Sequence, residues 1–314
     1  MQKHLTLLLT TLVLTATLTQ AQWSEVGGLN ALAANGSIQT MVFDTSGNLY
    51  AAGTFTNASG NRYVAKWDGN TWGEVGGLNG LAANNSILSL CIDSSNNLYA
   101  AGNFLNSGNQ QYVAKWDGIT WSELGGPNSL GAYSYISSIC SDGQGNIYAG
   151  GNFINQATGF RYVAKFNGTS WSELSGTNSL NAGGIILVVD VDSVGNIYTA
   201  GVFKNTFNWY YVAKFDGTNW SEVGIGLDSL KANSSIVSIE LEKLKVAGGF
   251  TNANGNRYVA DWNGNMWNEV GGINALSANG GIYKIHIDNK GNLYSAGVFK
   301  NINNHCYVAK YNGT

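Results

Sequence analysis

Short apolar runs alternate with small polar segments along most of the chain. In the first complete unit, Ser37–Phe43 is a run of mostly apolar and β-branched residues, and Thr45–Asn48 after it has the composition of a tight turn. Three similar runs follow, Leu49–Phe55, Tyr63–Trp67 and Trp72–Val75. Because none of these runs has the period of an amphipathic helix, the pattern predicts four short strands joined by turns.

This four-run unit recurs along the chain, and a tryptophan opens its fourth run each time. The tryptophans are spaced by 49, 49, 50, 49 and 47 residues: Trp23, Trp72, Trp121, Trp171, Trp220 and Trp267. A repeat of about 40–50 residues with four strands is typical of a propeller blade. The sequence therefore predicts an all-β fold, a six-bladed β-propeller of four-stranded antiparallel blades.

The two ends of the repeat array are complementary. The array begins with a fourth-run phrase, Trp23–Val26, and ends just after a third-run phrase, Tyr307–Tyr311. Antiparallel pairing of these two segments would complete the last blade and leave no exposed sheet edge. We therefore predict that the N-terminal strand closes the propeller by pairing with the sixth blade. A piece of a longer array is the alternative.

Two phrases mark almost every repeat. Asp-x-x-Gly-Asn-(Leu/Ile)-Tyr-x-x-Gly follows the first run, and Val-Ala-Lys-aromatic-(Asp/Asn)-Gly covers the third. They resemble the β-propeller repeats of bacterial secreted and surface proteins, over essentially all of the chain after residue 21. The resemblance implies a propeller and export, and it implies no particular activity. The fifth repeat departs from it, because Glu240–Lys245 replaces the turn phrase and is shorter.

The N-terminus has the features of a secretory signal peptide. Lys3 and His4 precede an apolar stretch from Leu5 to Leu18, and Thr19-Gln20-Ala21 provides small residues before a cleavage point. We predict a signal peptide over 1–21 and a single propeller domain over 22–314. An uncleaved anchor is the alternative. The expected product is secreted or at the cell surface, monomeric and not inserted in a membrane.

Charge and cysteine content narrow the possible partners. Only 11% of the residues are charged, the formal net charge is −3, and the charges are dispersed. This pattern argues against a nucleic-acid partner.

Three cysteines do not make a disulfide scaffold. Cys91 and Cys140 occupy one repeat position, where they serve as core residues or form a bridge if their Cα atoms lie within about 7 Å.

Residues that recur in every repeat are interpreted as structural. The repeated tryptophans are assigned to core or inter-blade packing, and the repeated glutamates and lysines to outer strands, where they aid solubility and protect edges. The single aspartate of each turn stabilises that turn rather than binding calcium, which needs several oxygen ligands. Nucleophile and metal motifs are absent from the sequence, so no metal site and no cofactor are predicted.

One deviation between repeats lies in the first run, two residues before the turn acid. The residues at this position are Val42, Cys91, Cys140, Asp190, Glu240 and His286. First strands lie nearest the axis of a propeller, so these residues are expected to line it. Asp190, Glu240 and His286 together could perform acid–base or metal chemistry. Two interpretations stay open, a catalytic site of an extracellular hydrolase or lyase and a polar lining of a water-filled channel.

The second deviation is aromatic. In the second-to-third-strand loops of repeats three and four, Phe160, Phe207, Trp209 and Tyr210 replace small polar residues. Exposed loop aromatics offer flat apolar faces to ligands. These four residues are the predicted ligand-binding site, with self-packing of the loops as the alternative. The leading hypothesis is a secreted or cell-surface, non-enzymatic binding or adhesion propeller that recognises a glycan or a surface protein.

Overall fold

A computed structural model describes residues 25–272 and 275–313 of the chain. Within them, 23 strands form six antiparallel sheets, in which each strand pairs with the next along the chain. These ranges also contain single-turn 3₁₀ helices at Gly28–Asn30, Gly77–Asn79, Gly126–Asn128 and Gly226–Asp228. The predicted fold class is confirmed: the chain is an all-β, six-bladed propeller. No helix within the described ranges has both the length and the apolar character needed to cross a bilayer.

The strands of the six blades have nearly constant lengths. Blade 1 contains β1 (Ile38–Phe43), β2 (Leu49–Gly53), β3 (Ala65–Trp67) and β4 (Trp72–Glu74). Blade 2 contains β5 (Ile87–Ile92), β6 (Leu98–Gly102), β7 (Ala114–Trp116) and β8 (Trp121–Glu123). Blade 3 contains β9 (Ile136–Ser141), β10 (Ile147–Gly151), β11 (Ala164–Phe166) and β12 (Trp171–Glu173). Blade 4 contains β13 (Ile186–Val191), β14 (Ile197–Gly201), β15 (Ala213–Phe215) and β16 (Trp220–Glu222). Blade 5 contains β17 (Ile236–Glu240), β18 (Lys245–Gly248), β19 (Ala260–Trp262) and β20 (Trp267–Glu269). Blade 6 contains β21 (Ile282–Ile287), β22 (Leu293–Gly297) and β23 (Ala309–Tyr311).

The repeated turn phrase is explained by the hydrogen bonds of its aspartate. In blade 2, one carboxylate oxygen of Asp93 accepts bonds from the backbone amides of Ser95 and Asn97, both at 2.9 Å. The other oxygen accepts from the Asn97 side chain at 2.8 Å and from the Tyr99 hydroxyl at 2.9 Å. The repeated Asn and Tyr of the phrase thus both donate to its Asp. In blade 5, where the phrase is missing, Glu240 pairs directly with Lys245 in a shorter hairpin.

The core lies between blades rather than inside them. One cluster joins Cys91 and Tyr99 of blade 2 to Ile136, Ile139 and Ile147 of blade 3. Such packing is expected, because a four-stranded blade has two faces and must bury both against its neighbours. Cys91 and Cys140 are buried free thiols in these inter-blade clusters, and no disulfide joins them.

The repeated tryptophans connect each blade to the one before it. The Trp121 Nε1 atom donates to the Val75 carbonyl at 3.2 Å, and Trp171 bonds to Leu124 at 3.1 Å in the same way. Three further tryptophans make the equivalent bond: Trp72 to Val26, Trp220 to Leu174 and Trp267 to Val223. The assignment of these tryptophans to inter-blade packing therefore agrees with the structure.

The two end blades differ from the inner blades in how much of their faces is covered. Met41 in β1 is 63% exposed, whereas its equivalent Leu90 in β5 is 7% exposed. Val308, just before β23, is 51% exposed, and its equivalent Val64 is 1% exposed. Among residues 25–272 and 275–313, no blade packs on either outward face, so apolar positions that are core elsewhere are open to solvent there.

The predicted closure of the propeller falls partly outside the described residues. Trp23 and Ser24 lie there, as does the predicted signal peptide over 1–21. In the described part, Glu25 and Val26 make no backbone hydrogen bond with Val308 or Ala309, and blade 6 has three strands. Pairing of the N-terminal strand with the sixth blade therefore stays a prediction.

Candidate functional site

The second-to-third-strand loops are held rigidly by one asparagine each. In blade 4, the Asn205 side-chain oxygen accepts from the backbone amides of Phe207 and Trp209, at 3.0 and 3.1 Å. The amide nitrogen of the same side chain donates to the Glu222 carboxylate at 3.0 and 3.1 Å. The loop backbone is thus fixed from within, and the blades differ here mainly in which side chains the loop displays.

The repeated glutamates have a role that the sequence analysis missed. The sequence analysis assigned them to outer strands, where they would aid solubility and protect edges. In blade 1, the Glu74 carboxylate instead accepts from the Asn57 side chain at 3.0 and 3.3 Å. Lys66 lies with its ammonium 5.5 Å from the centre of the Tyr50 ring. The glutamates therefore anchor the loops, because an amide needs a local acceptor when it is half-buried.

The four predicted aromatic residues are not equally available to a ligand. Phe207 is 76% and Trp209 38% exposed, and Phe160 on the neighbouring blade is also exposed. Tyr210 is half-buried: its amide donates to the Ala232 carbonyl at 3.0 Å, and the Lys204 ammonium lies 4.7 Å from its ring centre. Tyr210 thus serves the junction with blade 5, and Phe160, Phe207 and Trp209 are the residues displayed.

Tyr133 is an exposed aromatic residue that the sequence analysis did not select. It lies in the segment leading into blade 3, next to Ala132, which bonds to the loop of blade 2 through Gln111. Alignment of the repeats identifies Tyr133 as a deviation, since the equivalent positions hold asparagine in four copies and glycine in one: Asn35, Asn84, Gly183, Asn233 and Asn279. Blade 3 therefore displays two extra aromatic side chains, from two different segments.

The axial set of deviant residues is brought partly together. Glu240 Oε2 lies 3.2 Å from His286 Nδ1 and also accepts from the Ile287 amide at 3.1 Å. Asp190, on the adjacent β13, is close enough to Glu240 for their charges to interact. The three side chains come from neighbouring first strands, as the alignment of the repeats predicted. Within the described ranges no group of three or more His, Cys, Asp or Glu side chains is placed to hold a metal ion.

Asp190 is the most perturbed acid of this cluster. Burial raises its pKa to about 6, the Val191 amide and the Lys284 ammonium oppose that rise, and the Glu240 charge adds to it. Burial and the negative charge of Asp190 also raise the pKa of the Cys91 and Cys140 thiols. These thiols are therefore protonated at neutral pH and unsuited to act as nucleophiles. Asp190 can exchange a proton near pH 6, and among the described residues this cluster has no activated nucleophile.

The raised pKa of Asp190 predicts a pH dependence of stability. The folded state binds this proton more tightly than the unfolded chain, whose aspartate pKa is about 3.9. The contribution is fully present below about pH 4 and is lost as pH rises through about 6, at a cost on the order of 2 kcal/mol. Asp190→Asn should remove this loss. Urea unfolding between pH 4 and 8 would measure it, and equal pH profiles for the variant and the wild type would contradict it.

Comparison with models of protein families and with curated proteins finds no match to this sequence. Solved structures do match it. One is the extracellular domain of a two-component system protein of B. thetaiotaomicron, with a TM-score of 0.54 and 10% identity, covering 90% of this chain and 33% of that one. YCF48 bound to D1 peptide has a TM-score of 0.53 and 14% identity, covering 85% of this chain and 76% of that one. Streptogramin B lyase has a TM-score of 0.56 and 11% identity, with 90% and 85% covered.

These similarities show the fold alone. The chain spans about a third of the length of the solved extracellular domain. The matched proteins include an extracellular domain, a protein in complex with a peptide and a lyase. The shared architecture is therefore used for different tasks, and the task of this chain has to be argued from its own side chains.

Proposed function

We propose that this protein is a secreted or cell-surface, non-enzymatic binding propeller that recognises a glycan or a protein surface. The observation that carries the proposal is the pair Phe207 and Trp209. Both side chains are exposed on a loop whose backbone is fixed by Asn205. A rigid loop loses little conformational entropy when it binds, and aromatic anchors supply most of the binding energy at many interfaces.

Secretion is part of the same proposal. It rests on the pattern of residues 1–21 and on the resemblance of the repeats to exported propellers. The similarity in fold to an extracellular domain is compatible with it. The complex of YCF48 with a peptide is an example of a similar fold in a binding role.

A catalytic role for the axial cluster is the second candidate. The contact between Glu240 and His286 favours it, together with the proton affinity of Asp190. The binding proposal is better supported, for two reasons. Glu240 is already engaged by the Ile287 amide, and the neighbouring first-strand positions hold Cys91 and Cys140, which are buried and protonated at neutral pH.

The double variant Phe207→Ala, Trp209→Ala tests the binding proposal. Loss of both anchors should cost about 2 kcal/mol or more, which corresponds to a roughly 30-fold rise in Kd. Binding is measured by biolayer interferometry against an array of bacterial and host surface glycans and against extracts of surface proteins. The double variant should retain wild-type thermal unfolding, because both side chains are exposed.

Two controls make this test specific. Ile119→Ala removes an exposed apolar side chain from a different turn and should leave binding unchanged. Tyr210→Ala should lower stability more than affinity, because Tyr210 belongs to the junction with blade 5. Wild-type affinity in the Phe207, Trp209 double variant would contradict the proposal and assign these residues to loop packing.

A further inference from the structure

Blades 1, 2 and 3 each carry a groove of the same construction. The groove is bordered by the fourth strand, by the second-to-third-strand loop and by the segment leading into the blade. The cavity volumes are about 580 Å³ in blade 1, 550 Å³ in blade 2 and 400 Å³ in blade 3. The grooves arise from repeated sequence, so each places the same side chains in the same positions.

The lining of these grooves combines two aromatic rings, one carboxylate and one amide. In blade 1 these residues are Tyr63, Trp72, Glu74 and Asn57. The equivalent residues are Tyr112, Trp121, Glu123 and Asn106 in blade 2, and Tyr162, Trp171, Glu173 and Asn155 in blade 3. Among the residues that the structure describes, no lysine or arginine lines any of the three. The grooves are therefore hydrogen-bonding sites with apolar ring surfaces and a single negative charge.

The carboxylates keep hydrogen-bonding capacity for a ligand. In blade 2, the Asn106 amide donates to Glu123 Oε1 at 2.9 Å, and in blade 3 the Asn155 amide donates to Glu173 Oε2 at 2.7 Å. Among the described residues, the second oxygen of each of these carboxylates accepts no side-chain hydrogen bond. In blades 2 and 3 one oxygen thus fixes the carboxylate, while the other remains an acceptor beside two aromatic rings. In blade 1 both oxygens of Glu74 accept from Asn57, at 3.3 and 3.0 Å.

We infer that these grooves are equivalent subsites for a neutral polysaccharide. Sugar hydroxyls donate to a fixed carboxylate oxygen, and the apolar faces of sugar rings pack on aromatic side chains. A single shallow groove binds weakly, but three similar grooves on successive blades raise the avidity for a repeating polymer. The inference rests on the proposed binding function and adds the grooves of blades 1 to 3 to the aromatic loop of blade 4 as binding sites.

The groove of blade 3 has more side chains that could contact a sugar than the grooves of blades 1 and 2. Tyr133 and Gln156 also line it, so it offers a third aromatic ring and a second amide. The exposed Tyr133 is thereby explained by the same site. It replaces the asparagine that in blades 1, 2, 5 and 6 bonds to the adjacent loop, as Asn84 does with Leu105 at 2.8 and 3.2 Å.

Blade 4 provides an internal contrast. Trp220 is only 6% exposed, and the Asn178 side chain bonds to its backbone amide at 2.7 Å and to its carbonyl at 2.8 Å. Leu180 is buried as well, whereas its equivalents Leu81 and Leu130 are half-buried. The same sequence motif is thus covered in blade 4 by its own leading segment, and Glu222 sits beside a tryptophan that a ligand does not reach.

The test replaces glutamate by glutamine, which retains an oxygen for the asparagine and removes the charge. The triple variant Glu74→Gln, Glu123→Gln, Glu173→Gln is compared with Glu222→Gln, the matched change in the covered blade. The probe is an immobilised panel of neutral hexose, pentose and N-acetylhexosamine polymers. The triple variant should bind at least 100-fold more weakly than the wild type, and Glu222→Gln should bind as the wild type does.

Several outcomes separate this inference from the proposed function. Tyr133→Ser should weaken binding about 5-fold without a change in thermal unfolding. Equal binding by the triple variant and the wild type, equal losses for Glu222→Gln, or no wild-type binding to any polymer of the panel would overturn the groove assignment. A ligand lost only in the Phe207, Trp209 double variant would overturn the grooves and leave the binding proposal standing. Binding to proteins but to no polysaccharide, unchanged in the triple Glu→Gln variant, would also overturn the groove assignment and leave the binding proposal standing.

Discussion

Replacing Trp220 with alanine should lower the free energy of unfolding by about 3–5 kcal/mol. The indole is buried between blades 3 and 4, its ring centre lies 5.3 Å from that of Phe215, and its Nε1 atom donates to the Leu174 carbonyl at 2.8 Å. The substitution removes this bond and leaves a cavity at a junction. Equilibrium unfolding in urea, followed by circular dichroism, gives the difference.

Trp72 is the appropriate comparison for this prediction. It makes the same type of bond, to the Val26 carbonyl at 3.1 Å, but it is half-buried and lies next to the uncovered end of the array. Trp72→Ala should therefore cost less than Trp220→Ala. Equal costs for the two variants would show that burial at the junction does not determine the contribution of the repeated tryptophans.

Replacing Asp93 with alanine should cost about 2–4 kcal/mol, because four donors lose the buried Asp93 carboxylate as their acceptor. Burial alone would raise the pKa of Asp93, but the hydrogen bonds from Asn97, Tyr99 and Ser95 lower it below the ordinary value. The stabilisation is therefore present above about pH 4 and is lost as pH falls through the folded-state pKa. Thermal unfolding of the variant and the wild type between pH 2 and 7 measures both effects.

Asp68 supplies the control for the turn prediction. Its carboxylate accepts from the backbone amides of Asn70 and Thr71 in an exposed hairpin turn. Asp68→Ala leaves these donors in contact with water and should cost less than about 1 kcal/mol. If Asp93→Ala were as mild as Asp68→Ala, the repeated phrase would not owe its recurrence to turn stabilisation.

The blades could be predicted from sequence because every inner blade buries equivalent residues against its neighbours. Ile87, Ile136 and Ile186 occupy one repeat position and are all fully buried, so the periodicity of the sequence reproduces that of the core. The turn aspartates and the tryptophans follow the same logic, since each bonds to groups at nearly the same sequence distance in every copy. In a repeat protein, a contact predicted for one repeat therefore applies to the equivalent position of the other repeats, and so to most of the fold.

The candidate sites were harder to predict, because the exposure of a repeated side chain depends on which segment packs over it in each blade. Trp171 and Trp220 share one motif, yet the segment before blade 4 covers only Trp220. Tyr210 was predicted to bind ligand together with Phe160, Phe207 and Trp209, and the sequence did not reveal the bond from its amide to the Ala232 carbonyl. The role of Glu74 was misread for a similar reason, because its partner Asn57 lies 17 residues away and across the blade. The exposure and the partners of these side chains depend on tertiary contacts, which the residue type at one position does not reveal.

The bond between each tryptophan and the preceding blade has a consequence for how such a chain evolves. The indole donor and the carbonyl acceptor lie three residues apart, as Trp72 and Val75 do, so one short segment holds both halves of the junction. A duplicated gene segment that encodes one blade would arrive with a donor for the blade before it and an acceptor for the blade after it. Blade number can then change by recombination without new interface mutations, while loops such as Asn205–Tyr210 diverge independently.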